Sequence, residues 1–408
     1  MKKEETIPLL YDHHSHVSGR AAYLDCVDLS EVEEKEKALS LMRENCSKEK
    51  LNVVKGWNDS YYSFDIEEVE KMPPVFIWNV SGHGLTFNEK AEKRFKEKFE
   101  KPRMVKKMKD PEWVEKNLMK VSKIMMKIEG ITGKKIQNTY DFLLERGIYR
   151  TDDMLLPSEE TLEIVKDLEY QERTKFWADV ETFYELSEET RKEIEGVKLF
   201  ADGALGPKTA AINGRYLDGN GGGNDGVLIY ERDELKDTLE IIEKDKVSIH
   251  AIGDRAIDIV VGTLAEMEKE GLELPETRIE HAQFISEETA KEAKSLDIKL
   301  SMQPNFSIDS VNYSDRLSKK YLESNNPFRM LIDKVGFVPG KDLLFGSDGL
   351  PYGVKEALEN SLFPNYESQK INLEEFIDGY CISDRNVGNI HLVIDEKKEE
   401  VFIEDIEM

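Results

Sequence analysis

The sequence predicts an α/β chain built on a (β/α)8 TIM barrel, with a large insertion after the first strand and a reduced or absent β-sandwich subdomain. Three observations carry this reading. From Gly147 to Ser347, strand-like apolar runs alternate with helical stretches, the rhythm of parallel βα units. One further run, Ile7–Tyr11, lies near the N-terminus and brings the strand total to eight. Finally, residues able to hold a metal follow the C-terminal ends of several of these runs, where barrel enzymes place their chemistry. The rhythm alone would also suit an open doubly wound sheet.

The first strand runs into Asp12-His13-His14-Ser15-His16. Side chains alternate along a strand, so His14 and His16 project together while His13 points away. Two neutral imidazoles side by side form half of a divalent-metal site. Residues 17–146 then read as one large insertion, of the kind that serves as a lid or binding segment. The insertion opens with a charged helix over 29–50, followed by strand-like runs at Leu51–Trp57 and Val75–Val80, without regular strand–helix alternation. Next comes Ser81-Gly82-His83-Gly84, where the glycines allow a sharp turn and close approach of a ligand. Helical stretches near 88–100, 111–130 and 134–146 complete it.

From Gly147 the expected strands are Ile148–Asp152, Lys175–Val180, Val197–Ala201, Lys246–His250, Thr277–His281, Ile298–Met302 and Asp342–Ser347. Helices start after Ser158 and Ser187, each a serine N-cap followed by acidic residues that suit the helix dipole. After residue 371 a helix and two runs, His391–Asp395 and Glu400–Glu404, predict a terminal β-hairpin. The expected division is therefore a barrel over 1–16 and 147–370, an insertion over 17–146 and a tail over 371–408.

A net charge of −26 argues against nucleic acid and against anionic membrane surfaces as partners, since both need a basic footprint. No segment reaches the roughly 18 consecutive apolar residues that would cross a bilayer. The three cysteines, Cys26, Cys46 and Cys381, lack metal-type spacing and read as reduced thiols. These features predict a soluble, cytoplasmic protein, and they leave a homo-oligomer open.

Six residues stand at or near strand ends in order: His14, His16, Lys198, His250, His281 and Asp348. Each alone has an ordinary explanation, such as a polar loop histidine, a snorkelling lysine or a helix-capping aspartate. Their joint placement does not. The chain resembles metal-dependent hydrolases of the amidohydrolase superfamily, in particular the YtcJ-like branch (amidohydrolase family 3). The matching segments are Asp12–His16, Ser81-Gly82-His83, Val197–Gly206, His250–Ala256, Arg278–Gln283, Ser301–Pro304 and Phe345–Asp348.

The resemblance implies one or two divalent ions, zinc foremost, at the barrel mouth. His14 and His16 would bind one ion, and His250 and His281 the other. Asp348 would ligate and act as base. Lys198 would carry a CO2-derived carbamate (carboxylysine) bridging the pair, and His83 would face the substrate in a catalytic role. Metal-activated hydroxide would then cleave an amide or other non-peptide C–N bond of a small-molecule substrate. A deaminase, an ester or phosphoester hydrolase, or a non-catalytic binding protein would use the same fold. Usual members of the family add a small β-sandwich, which only the tail hairpin could represent here. Substrate choice would fall to the insertion and to late loops carrying Tyr313, Arg316 and Tyr352.

Overall fold

A computed structural model of the 408-residue chain describes all residues except 1, 59, 60, 81, 83, 100, 101, 218–222, 350 and 385, together with the side chain of residue 102. The chain forms two compact units, one of residues 1–17 and 136–408 and one of residues 18–135.

The larger unit holds an eight-stranded sheet in which neighbours in sequence are neighbours in space. Its strands are Leu10–Ser15, Ile148–Asp153, Thr174–Asp179, Gly196–Phe200, Lys246–Ala251, Glu276–His281, Lys299–Met302 and Leu343–Phe345. Every recorded pairing is parallel. A parallel bridge between Ser15 and Asp348 joins the last strand to the first and closes the barrel. The seam is held by Asp12. Its buried carboxylate accepts the backbone N–H of His14 at 3.1 Å and of Ser347 at 2.9 Å, as well as the Ser347 hydroxyl. Gly346 lies in this seam, where a Cβ would collide with the His14 backbone nitrogen.

The start of the chain differs from the expected single strand over Ile7–Tyr11. Lys2–Pro8 pairs antiparallel with Asn389–Asp395, which pairs in turn with Glu400–Glu407. The backbone then changes partners at Leu9, so that Leu10 donates to the Gly147 carbonyl at 2.7 Å and begins the barrel. The charged stretch Lys2-Lys3-Glu4-Glu5 carries no apolar run and shows only its pairing partner's register. The result is a three-stranded sheet made from both ends of the chain.

The smaller unit has its own sheet, ordered Val27–Asp28, Asn52–Trp57, Val75–Asn79 and Leu85–Phe87. The first three strands are parallel and the last is antiparallel. Helices Lys35–Asn45 and Ile66–Lys71 form the crossovers, so strand–helix alternation is present here, contrary to the expectation. Strands of two and three residues leave almost no periodic signal. The longer strands alternate cleanly. Val53, Phe76 and Trp78 enter one apolar cluster, whereas Val54, Val75 and Ile77 enter the other.

Candidate metal centre

The C-terminal strand ends converge as barrel geometry requires. One donor atom from each of His14, His281 and Asp348 lies within 4.8 Å of the others. His14 Nε2 is 3.6 Å and His16 Nε2 3.0 Å from Asp348 Oδ1. The His14 and His281 rings are 4.8 Å apart and the His250 and His281 rings 4.5 Å. His14, His250 and His281 are buried, and His16 is partly open to solvent. His281 and Asp348 both adopt positive φ, at 72° and 61°. That conformation is uncommon without glycine and is concentrated at functional sites.

Hydrogen bonds settle which ring nitrogen of each histidine carries the proton. His14 Nδ1 donates to Glu280 Oε2 at 2.6 Å, and His281 Nδ1 donates to Gln303 Oε1 at 2.7 Å. Because these partners accept, Nε2 of both rings keeps its lone pair for a ligand. His250 is arranged the other way. Its Nε2 donates to the Gly203 carbonyl at 2.9 Å and lies 3.5 Å from Asp202 Oδ1. Alternation alone did not predict that turn of the ring.

Electrostatics keep these groups in metal-binding form. Burial, with His14 and Lys198 nearby, pushes the His281 imidazole down to about 3, and burial also lowers His14. In both rings burial disfavours the charged form, the one that cannot ligate. Burial works to raise the Asp348 carboxyl, yet His14, His16 and His281 together hold it well below the ordinary carboxylate range.

Lys198 is fully buried and its Nζ has no hydrogen-bond partner, lying 5.2 Å from the centre of the Phe200 ring. Burial pulls its pKa down to about 8, although Glu280 opposes the shift. An orphaned buried amine beside imidazole and carboxylate donors fits a divalent metal and its anionic ligands. The ammonium costs stability in the folded apoprotein below that pKa. The cost disappears as pH rises towards 10.5, the value in the unfolded chain. Relative to Lys198→Met, the wild-type apoprotein should gain on the order of 3 kcal/mol between pH 8 and 10.5. Urea unfolding at several pH values measures this, and a flat difference would contradict it.

Residues that earlier carried no role form a buried support behind His14. Glu280 Oε1 accepts from Ser248 Oγ at 2.6 Å and from Arg278 Nε at 2.5 Å. Arg278 also donates to Asp152 Oδ2 at 2.7 Å and to the His13 carbonyl at 3.0 Å, with its guanidinium 4.7 Å from the Trp177 ring centre. Asp152 further accepts from the Tyr11 hydroxyl at 2.8 Å. Burial opposes ionisation of Glu280, but Arg278, His14 and Lys198 keep it ionised. The sequence signal was present in Arg278-Ile279-Glu280-His281, where two charged residues fall within a strand that is buried from Thr277 onward.

His83 lies outside the described residues. Tyr352 is buried edge-on to Phe142, with ring centres 5.9 Å apart. Arg316 pairs with Asp315 at 2.9 Å, donates to the Gly206 carbonyl and lies over the Tyr313 ring. These contacts place Tyr313 and Arg316 in a tether for the loop after the fourth barrel strand.

The sequence model of the amidohydrolase family matches residues 6–348. YtcJ of Bacillus subtilis, named as an amidohydrolase, is 30% identical over 146 residues, covering 35% of this chain and 27% of that protein. The Arabidopsis thaliana protein LONG AFTER FAR-RED 3 is 32% identical over 128 residues, covering 31% of this chain and 21% of that one. The matched stretches thus span well under a third of either relative's length. Two solved structures share the fold, both titled as uncharacterised metal-dependent hydrolases. The one from Pyrococcus horikoshii has a TM-score of 0.62 at 21% identity, covering 88% of this chain and 74% of that one. The one from Pyrococcus furiosus has a TM-score of 0.64 at 20% identity, covering 92% and 80%.

Proposed function

The chain belongs to the amidohydrolase family, and on that premise we propose that it is a metal-dependent hydrolase cleaving an amide or other non-peptide C–N bond of a small molecule. The observation that carries this reading is the convergence of His14, His281 and Asp348 donor atoms at the closed end of the barrel seam. A divalent ion held there supplies Lewis-acid polarisation of the scissile carbonyl and makes water a competent nucleophile near neutral pH. Zinc suits this mixture of imidazole and carboxylate.

The chain's own groups do the rest. His14 and His281 present Nε2 lone pairs, with Glu280 and Gln303 fixing the rings. Asp348, kept ionised, takes a proton from the attacking water as oxygen bonds to the carbonyl carbon. It then delivers that proton to the leaving nitrogen as the C–N bond breaks. His16, adjacent to Asp348, completes the pair from the first strand. Lys198 in its neutral form would add to CO2, forming an N–C bond and releasing a proton, and the carbamate's two oxygens, sharing one negative charge, would help hold a two-ion site. His250 would help hold the second ion.

Among the described residues no helix is long and apolar enough to cross a membrane, and no disulfide joins Cys26, Cys46 or Cys381. Three cysteines in the reduced state support a cytoplasmic location for the protein.

The test is elemental analysis of protein purified without chelator, combined with a hydrolysis screen over N-acyl amines, hydantoins and formamides. The expected result is one or two equivalents of metal and an activity that chelation removes and zinc restores. A chain that binds no divalent ion under any loading condition would overturn the reading.

A further inference from the structure

We propose that the inserted unit carries a separate binding site, a cleft that takes a small organic ligand bearing two or more phosphoryl groups, of the nucleoside di- or triphosphate class. This site does not depend on the hydrolase reading. The net charge of −26 hides a division between the two units. Residues 18–135 contain 24 lysines and arginines against 21 acidic residues, whereas the remainder of the chain has 33 against 62. The cations of the smaller unit are also gathered in one place. A cleft of about 700 Å³ is lined by Arg43, Lys48, Lys71, Lys90, Lys93 and Arg94. Glu97 is the one carboxylate among its described lining residues.

The local fold explains how they meet. Helix Glu89–Phe99 places Lys90, Lys93, Arg94 and Glu97 along one face at spacings of three and four. Arg43 lies in the last turn of helix Lys35–Asn45, and Lys71 ends helix Ile66–Lys71, positions that the helix dipole favours for a cation without neutralising it. Two of the six brace the walls. Lys90 Nζ donates to the carbonyls of Glu70 and Met72, both at 2.8 Å, and Arg94 donates to the Lys48 carbonyl at 3.2 Å.

Arg43, Lys71 and Lys93 make no side-chain hydrogen bond or ion pair among the described residues. Elsewhere in the same unit Lys35, Lys55, Lys96, Lys109 and Lys116 are each paired with a carboxylate. Clustered unpaired cations repel one another, and a polyanion between them removes that cost.

The chemistry of the ligand follows from the lining. Arginine forks match phosphoryl oxygens in bidentate fashion, and lysines add point charges. This number of cations around one space exceeds what a single phosphoryl group needs. Pro73 and Pro74, largely buried, close the base of the cleft with apolar atoms, next to the core residue Met72. The volume falls in the roughly 300–1,000 Å³ range of small-molecule sites.

Calorimetric titration of the full chain with ATP tests the proposal, with inorganic tripolyphosphate and citrate as comparators. Saturable binding of ATP at one site is expected, tighter than citrate and weakened by added salt. In Lys71→Gln/Lys93→Gln the affinity should fall at least about tenfold, the loss of one charge-assisted contact or more. Lys93→Arg, which keeps the charge, should bind nearly as the parent does, and an unchanged far-ultraviolet spectrum shows that each variant is folded. Absence of saturation, an unchanged affinity in the double variant, or citrate binding as tightly as ATP would each overturn the proposal. Loss of ATP binding in His14→Ala/His281→Ala would place the ligand at the barrel centre and overturn it equally.

Discussion

In the His14→Ala/His281→Ala chain, bound divalent metal falls to a small fraction of the wild-type stoichiometry. Both imidazoles leave Nε2 for a ligand, and burial disfavours the charged form of each. Removing them takes away two of the three donors that converge here and leaves Asp348 beside the partly open His16 at 3.0 Å. The drop in affinity should exceed the roughly 10–100-fold expected when a group that only orients a ligand is lost. Elemental analysis after dialysis against zinc measures it directly. Full stoichiometry in the double variant would remove the centre from this position.

Glu280→Gln should be costly in two independent measurements. The carboxylate fixes the His14 ring through Nδ1 and is itself clamped by Arg278 and Ser248. A neutral amide leaves the buried Arg278 guanidinium with Asp152 as its remaining carboxylate partner. Breaking one partner of a buried ion pair destabilises by about 3–5 kcal/mol, so urea unfolding of the apoprotein should report a loss of that order. Zinc affinity, measured by competition with a coloured chelator, should fall about 10–100-fold. A stability loss with unchanged zinc affinity would make Glu280 a purely structural residue. Equal metal affinity and equal stability would show that the network does neither.

Much of this arrangement is legible in the sequence because barrel strands are apolar runs and ligands sit at their ends. Val247-Ser248-Ile249-His250 and Leu343-Leu344-Phe345 announce their strands, and the ranges shift by only a few residues. What stays hidden depends on partners distant along the chain. The Arg278–Asp152 pair spans 126 residues, and the Glu280–His14 bond spans 266. A sequence shows a buried charge on a strand but not which opposite charge meets it. The orientation of His250 is hidden for a related reason, since it is set by the carbonyl of Gly203 in a neighbouring loop. The first strand, Lys2–Pro8, is charged and exposed over most of its length, and its pairing with Asn389–Asp395 near the opposite end of the chain supplies what composition withholds.

The Asp12–Ser347 seam has a consequence for how the protein is made. It joins residues 335 positions apart, and the donors His14 and Asp348 come together only when it closes. Contacts of such long range form late in folding, because the chain entropy between them must be lost first. During synthesis the nascent chain carries its first histidines in the open while the rest of the barrel is still being added. Until Asp348 has left the ribosome, a divalent ion meets only fragments of a site, so tight metal retention marks a barrel that has been finished and shut.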